Sequence, residues 1–211
     1  MMININRFLK NSILLLLSFN CIVVAAQQTT TYDNFDASSL TATNKKFGWN
    51  FNPIEYDPEI LYSCVNAVAN YARQIYKNAD SLTPNESLTN AAEIQASFMA
   101  KEEERTHENV VSALKTPQLR GVSVGATKRV NELITRVKAT KGIEDYSYLD
   151  VATETILSLL KNKKTESTIL DKQYTFVGIG CAVDAFNRYC YFSIVLGNDL
   201  SFNQGMGQAS A

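Results

Sequence analysis

The chain has 211 residues, a formal net charge of −1 and an apolar fraction of 45%. That length fits one domain with extensions, and the apolar fraction is ordinary for a globular fold. Because 20 basic residues are balanced by 21 acidic ones, the chain lacks the positive excess of a nucleic-acid-binding face, and we expect no nucleic acid partner.

The N-terminal 26 residues have the pattern of a secretory signal peptide. Arg7 and Lys10 precede the apolar run SILLLLSFNCIVVAA, which ends in small residues before Gln27. The run is shorter than the ~20 residues that a membrane-spanning helix needs. We therefore predict cleavage before Gln27 and a secreted, extracellular protein with no integral membrane segment. A membrane anchor and a lipoprotein signal at Cys21 are the alternatives.

The next segment, residues 27–57, is polar and shows neither helical nor strand periodicity. We predict a flexible leader, in which Trp49 and Phe51 are candidates for docking on the domain. The domain itself is predicted to span residues 58–198, and residues 199–211 form a loose tail.

Two long helices are predicted after the leader. Asp57 can cap the first, with Pro58 at its first helical position, and apolar residues recur with helical spacing over residues 61–75. Thr83 is predicted to cap the second, with Glu86 three residues later as a capping box. We expect the apolar faces of both helices to lie in the core.

Two shorter helices follow. Residues 126–138 are predicted to form one, whose inward positions share helical spacing: Val130, Leu133, Ile134 and Val137. Ser147 opens the other, which ends in the basic segment KNKK, as the C-terminal end of a helix prefers.

The last part of the chain changes character. Residues 174–183 and 188–197 are rich in aromatic and β-branched residues, which predicts a hairpin with a four-residue loop. In that register Cys181 faces Cys190, close enough for a disulfide. Both strands are apolar on both faces, so the sheet should be covered on both sides.

The third cysteine of the predicted mature chain, Cys64, lies on the inward face of the first long helix. We predict that it is a buried free thiol. Helices first and a hairpin last indicate an α+β sandwich.

Two segments carry a resemblance to a known family. The run SLTPNESLTNAAEIQASFMA, followed by His107, is similar to a family helix that precedes a histidine, and the run DKQYTFVGIGCAV with its final strand YCYFSIVLG is similar to the family's closing hairpin. Over residues 60–197 the chain resembles the CAP superfamily of cysteine-rich secretory proteins, antigen 5, plant pathogenesis-related proteins and bacterial SCP-like domains. The resemblance implies an α+β fold, a three-layer α-β-α sandwich.

The resemblance also implies a central cavity with two histidines and two acids. His107 matches the first histidine, Glu132 the acid of the family's G-E-N-I segment, and Glu154 the acid on the following helix. The second histidine should fall near Thr165, but the chain has no other histidine. We therefore expect an incomplete cavity.

These residues favour binding over catalysis. Catalytic zinc normally takes three protein ligands, so His107 with one or two glutamates is a poor site, and we expect neither a metal nor a cofactor. No G-x-S-x-G elbow is present, and the predicted disulfide occupies Cys181. We predict that the chain is not an enzyme and that a carboxylate such as Glu132 orients His107. A hydrolase dependent on His107 is the remaining enzymatic alternative.

By resemblance, the chain is a secreted non-enzymatic domain that binds a lipid or sterol, or a surface partner, in the extracellular space. The alternative is a protein-interaction or effector module at a cell wall or host surface, without a lipid ligand. A fold does not fix a ligand, so both hypotheses stay open at this point.

Overall fold

A computed structural model describes the following residues: 32, 34–126, 130–139, 146–184, 186 and 188–198. The chain divides into residues 1–34 and 35–211, and every element below belongs to the second unit. The predicted signal peptide and the predicted tail both lie outside the described residues.

The helices are α1 (Leu40–Thr43), α2 (Pro58–Lys77), α3 (Glu86–Glu102), α4 (Pro117–Ser123), α5 (Tyr148–Leu160) and α6 (Lys163–Ile169), with 3₁₀ turns at Lys45–Gly48 and Ser112–Leu114. The strands are β1 (Thr83–Pro84), β2 (Asn131–Lys138), β3 (Phe176–Asp184) and β4 (Tyr189–Gly197). They form one sheet in the order β1-β3-β4-β2. Only the β1–β3 pair is parallel.

Helices cover the sheet on both faces. Helix α3 packs on β3 and β4, while α2 and α5 pack on each other and on the other face. Every residue of β4 after Tyr189 is buried, as expected for a strand covered on both sides. The predicted three-layer α-β-α sandwich is confirmed.

Two glycines of β3 set the distance between the sheet and α3. A Cβ atom on Gly178 would lie 2.0 Å from the carbonyl carbon of Leu88, and one on Gly180 would lie 2.3 Å from that of Ala92. The backbone of α3 therefore rests directly on β3, an approach that only glycine permits.

Two of the three predicted helix caps are confirmed. The side chain of Asp57 accepts hydrogen bonds from the backbone of Glu59 at 2.9 Å and of Ile60 at 3.3 Å. Ser147 forms a capping box with Asp150 at the start of α5.

The predicted cap at Thr83 is wrong. The backbone of Thr83 donates to the carbonyl of Thr175, and that of Asn85 donates to the carbonyl of Val177, both at 2.8 Å. These bonds make β1, so the helix starts later, and the side chain of Asn85 caps it by accepting from the backbone of Leu88.

The predicted helix over residues 126–138 is also wrong, because residues 131–138 form β2. All eight residues pair with β4, from Asn131 opposite Leu196 to Lys138 opposite Tyr189. The apolar spacing in this segment is compatible with either period, and the segment is rich in β-branched residues. The segment forms a strand because the free edge of β4 offers backbone hydrogen-bond partners along its length.

The hairpin forms, but its predicted register is wrong. Asp184 pairs with Tyr189, Cys181 with Phe192, and Cys190 with Val183. The loop therefore starts one residue later than predicted, which leaves the two cysteines diagonal rather than opposed. Both are free thiols, so the predicted disulfide is not formed. Cys64 is buried and free, as predicted.

The predicted flexible leader is wrong for residues 35–57. This segment contains α1 and a 3₁₀ turn, and both Phe47 and Phe51 are buried. The backbone of Phe51 donates to the carbonyl of Tyr146 at 2.7 Å. Trp49 remains 54% exposed. Burial of Phe47 and Phe51 stabilises this segment although most of its residues are polar. The folded unit therefore begins well before the predicted boundary at residue 58.

Candidate functional site

A buried carboxylate on β2 forms the centre of the candidate site. The Glu132 side chain is 1% exposed, and Arg120 Nη2 donates to both of its oxygens, at 2.6 and 2.7 Å. Ser193 Oγ donates to Oε1 at 3.1 Å, and His107 Nδ1 lies 2.9 Å from Oε2. An ionised carboxylate only accepts hydrogen bonds, so Nδ1 carries the proton that bonds to Glu132.

Arg120 ties the His107 loop to the strand. Its helix, α4, is capped by Thr116, whose hydroxyl accepts from the backbone of Leu119. The guanidinium is 1% exposed and also donates to the carbonyls of Leu114 at 2.8 Å and His107 at 3.2 Å. One buried side chain thus fixes both the backbone of His107 and the carboxylate that holds its ring.

The loop that carries His107 is fixed from the side of α3 as well. That helix ends at Glu102, and the next residue, Glu103, adopts a left-handed conformation with φ 55°. The side chain of Gln95 donates to the carbonyl of Thr106 at 2.6 Å, and the backbone of Asn109 donates to the carbonyl of Lys115. His107 therefore projects from a braced loop, with its side chain 50% exposed.

Two cavities share His107, Lys164 and Thr165 in their walls, and together we call them the His107 groove. The larger, of about 370 Å³, is otherwise lined by Thr116, Pro117, Gln118, Val130, Asn131, Glu132, Leu133 and Thr168. The smaller, of about 310 Å³, is otherwise lined by Arg105, Ile134, Thr135, Ser158, Leu159 and Asn162. The groove thus runs along β2, which is an edge strand of the sheet.

The structure brings together some of the predicted site residues and separates another. His107 and Glu132 meet, and Thr165, the position expected for a second histidine, lines both cavities. Glu154 lines neither. It is exposed on α5 and lies beside Tyr146, whose pKa is raised by burial and, secondly, by its hydrogen bond to Glu154. The prediction of Glu154 as a cavity residue is therefore corrected.

Sequence reasoning missed four site residues: Arg105, Arg120, Lys164 and Ser193. A basic residue between apolar neighbours in the segment LRGVSV was the available signal for Arg120, since a charge there needs a buried partner. The other three depend on the positions of β2 and α6, which the sequence alone did not establish.

The described residues contain neither a cluster of metal ligands nor a helix fit to span a membrane. Among them, no group of three or more His, Cys, Asp and Glu side chains is placed to hold a metal ion. Nor is any described helix both long and apolar enough to cross a bilayer. What the site offers is a histidine with Nδ1 tied to Glu132 and Nε2 as the ring nitrogen left for a ligand.

Comparisons with known proteins agree with this fold. The profile of the cysteine-rich secretory protein family, or CAP family, matches residues 66–196. No protein with a curated description matches the chain significantly.

Three solved structures are similar at 11–14% identity, a level that shows the fold alone. The first is an extracellular Bacillus anthracis protein containing an SCP domain, at 14% identity and TM-score 0.50, covering 69% of this chain. This chain spans only 45% of that protein's length. An outer surface protein of Borrelia burgdorferi has 14% identity and TM-score 0.50, with 72% and 98% of the two chains covered. The CAP domain of enterococcal PrgA has 11% identity and TM-score 0.51, with 84% and 85% covered.

Proposed function

Because the chain belongs to the cysteine-rich secretory protein (CAP) family, we propose that it is a secreted, non-enzymatic domain that binds a surface partner outside the cell through the His107 groove. The observation that carries the proposal is the full engagement of the Glu132 carboxylate by Arg120, Ser193 and His107. The signal-peptide pattern supports secretion, as do the extracellular and outer-surface descriptions of two similar structures.

Among the residues that the structure describes, no nucleophile bonds to His107, which supports a non-enzymatic role. A carboxylate bonded to a histidine ring supplies two of the three members of a hydrolase triad, and the third is a hydroxyl or thiol on the other nitrogen. Within the described part of the chain, the ring of His107 bonds only to Glu132. The nearby hydroxyl of Thr165 donates to the backbone carbonyl of Asn162 at 3.1 Å, and that of Thr168 to the carbonyl of Lys164 at 3.0 Å.

The form of the groove supports binding. Its larger cavity, about 370 Å³, falls within the size range of ligand clefts, roughly 300–1,000 Å³. The half-exposed ring of His107 stands in its wall, on a loop that Arg120 and Gln95 brace. A pre-ordered wall lowers the entropy cost of binding.

Binding of the labelled mature protein to washed cells of the organism that produces it tests the proposal. We expect His107→Ala to weaken binding by about tenfold, the loss of one hydrogen bond to a charged or polar partner. Glu108→Ala, an exposed neighbour that does not line the groove, is the matched control and should bind as the wild type does. Equal binding by the wild type and His107→Ala would remove the groove from the function.

The hydrolase alternative has its own assay. The wild-type protein is incubated with a panel of chromogenic acyl esters, and we expect no turnover above buffer. A measurable activity that His107→Ala abolishes would show that the domain is an enzyme.

A lipid or sterol carrier is the second candidate, and one observation favours it. A second groove of about 270 Å³ runs between α2, α3 and β3, and its wall includes Tyr62, Pro84, Val177 and Ile179. Glu59, Ser63, Asn66 and Thr89 also line this groove, and small-ligand sites combine apolar walls with a few polar groups. Uptake of labelled cholesterol and palmitate by the purified protein tests this candidate, and failure to retain either ligand would end it.

A further inference from the structure

We infer that the His107 groove recognises an anionic oxygen group, a carboxylate or a phosphate, on its ligand. The inference rests on the proposed function and names the ligand chemistry of the same site. Two features of the groove wall support it: the charges of its side chains and the hydrogen-bond donors that remain free for a ligand.

The charge inventory is positive. Arg105 and Lys164 line the groove with permanent positive charges. Glu132 is the one acid among the described lining residues, and Arg120 already matches its charge at 2.6 Å. Within the described part of the chain, neither Arg105 nor Lys164 has an ion-pair partner.

The acid next in sequence to His107 does not cancel this charge. Glu108 is exposed and lies 3.9 Å from the ammonium group of Lys115. It lines neither cavity. Arg105 and Lys164 therefore remain the positive charges among the described lining residues.

The donor inventory points the same way. The hydroxyls of Thr165 and Thr168 donate to local carbonyls, and Ser158 and Thr135 bond to each other at 2.6 Å. The strong groups left for a ligand are the guanidinium of Arg105 and the ammonium of Lys164, both of which only donate.

His107 can add one more donor. Its Nδ1–H is committed to Glu132, and in the imidazolium form Nε2–H is free to donate. The charged donors complement a group that accepts through negatively charged oxygens, as carboxylates and phosphates do. Hydrogen bonds in which both partners are charged are about twice as strong as neutral ones.

The single histidine of the chain provides a direct assay. Its ring signals in an NMR spectrum need no assignment by mutation, provided that the protein carries no histidine tag. We would titrate the mature protein with inorganic phosphate and with acetate, against chloride at the same ionic strength. The expected result is a saturable shift of the His107 ring signals with phosphate or acetate and none with chloride.

Matched lysines separate a site from general electrostatic attraction. Lys163 and Lys164 are adjacent, exposed residues of α6, but only Lys164 lines the groove. We expect Lys164→Ala and Arg105→Ala each to weaken anion binding by about tenfold, and Lys163→Ala to change it less than twofold. Equal weakening by Lys163→Ala, the same shift with chloride, or no shift with either anion would overturn the inference.

Two further arms complete the test. Sedimentation with vesicles of phosphatidylcholine, with and without phosphatidylglycerol, distinguishes a lipid headgroup from a soluble anion as the source. The cell-binding assay separates the two proposals. If binding to cells depends on His107 but phosphate and acetate neither shift its ring nor compete, the anion inference fails and the proposed function stands.

Discussion

Removing Arg120 should strand a buried negative charge, and the cost can be worked from the geometry. The side chains of Arg120 and Glu132 are each 1% exposed, and Nη2 reaches both carboxylate oxygens within 2.7 Å. Breaking such a buried pair from one side costs about 3–5 kcal/mol, because the remaining carboxylate loses its positive partner and keeps only its contacts with Ser193 and His107. Arg120→Met should therefore lower the free energy of unfolding by about that amount.

A double-mutant cycle separates the pair from simple loss of packing. Glu132→Leu should cost a similar amount, and Arg120→Met/Glu132→Leu should cost less than the sum by about 2 kcal/mol or more, because neither charge is then stranded. Urea unfolding at neutral pH, followed by circular dichroism, measures each free energy.

An exposed pair provides the control. Lys101 and Glu102 lie 3.5 Å apart with side chains 81% and 42% exposed, so Lys101→Ala should change stability by less than about 1 kcal/mol. Additive losses in the cycle, or a loss below about 1 kcal/mol for Arg120→Met, would refute the claim that Arg120 holds the site together.

Three other perturbations test the frame around the site. Gly178→Ala should unfold the domain or destabilise it by more than about 3 kcal/mol. Gly48→Ala should be tolerated, because a Cβ atom at that position would meet no atom closer than 3.8 Å. Thermal melting compares the two variants. Arg73 is fully buried and donates to four backbone carbonyls, so Arg73→Lys should lower the free energy of unfolding by at least about 3 kcal/mol, and a neutral result in urea would contradict that role. Burial, and secondly the charge of Asp150, raises the pKa of the Cys64 thiol to about 12 from 9.0. The buried neutral thiol contributes its full stabilisation below pH 9, and that stabilisation is lost as the pH rises towards 12. Between pH 8 and pH 10 the free energy of unfolding, measured in urea, should therefore fall by about 1.4 kcal/mol less in Cys64→Ala than in the wild type. An equal fall in both proteins would contradict this.

Local signals predicted the parts of the fold that depend on neighbouring residues. Asp57 before Pro58, and Ser147 three residues before Asp150, are caps whose bonds close within one turn. The hairpin was equally visible in its composition. Each of these features needs only residues that are close in sequence.

Contacts between distant residues decide the parts that were mispredicted. The segment at residues 131–138 becomes a strand because the edge of β4 is available to it. Thr83 enters β1 because the backbone carbonyl of Thr175, far along the chain, accepts from it. Residues 35–57 fold because Phe51 is buried against Tyr148, with the two ring centroids 5.4 Å apart and the ring planes perpendicular.

The candidate site divides in the same way. The resemblance to the CAP family identified His107 and Glu132, and it placed Thr165 on the same wall. It did not identify Arg120, which compensates the carboxylate, because that role requires α4 and β2 to meet. It also gave no indication of Lys164, whose place in the groove depends on α6, a helix that was not predicted.

Site-specific photo-crosslinking from the groove tests the central claim most directly. Thr168 lines the groove, and the adjacent Ser167 is exposed on α6 and does not. Two variants carry benzoylphenylalanine, one at position 168 and one at position 167, and each is irradiated in the presence of washed cells of the producing organism. The account predicts covalent adducts from position 168 that excess unlabelled protein suppresses, and few from position 167. Equal adducts from both positions, or none from position 168, would contradict binding through the His107 groove.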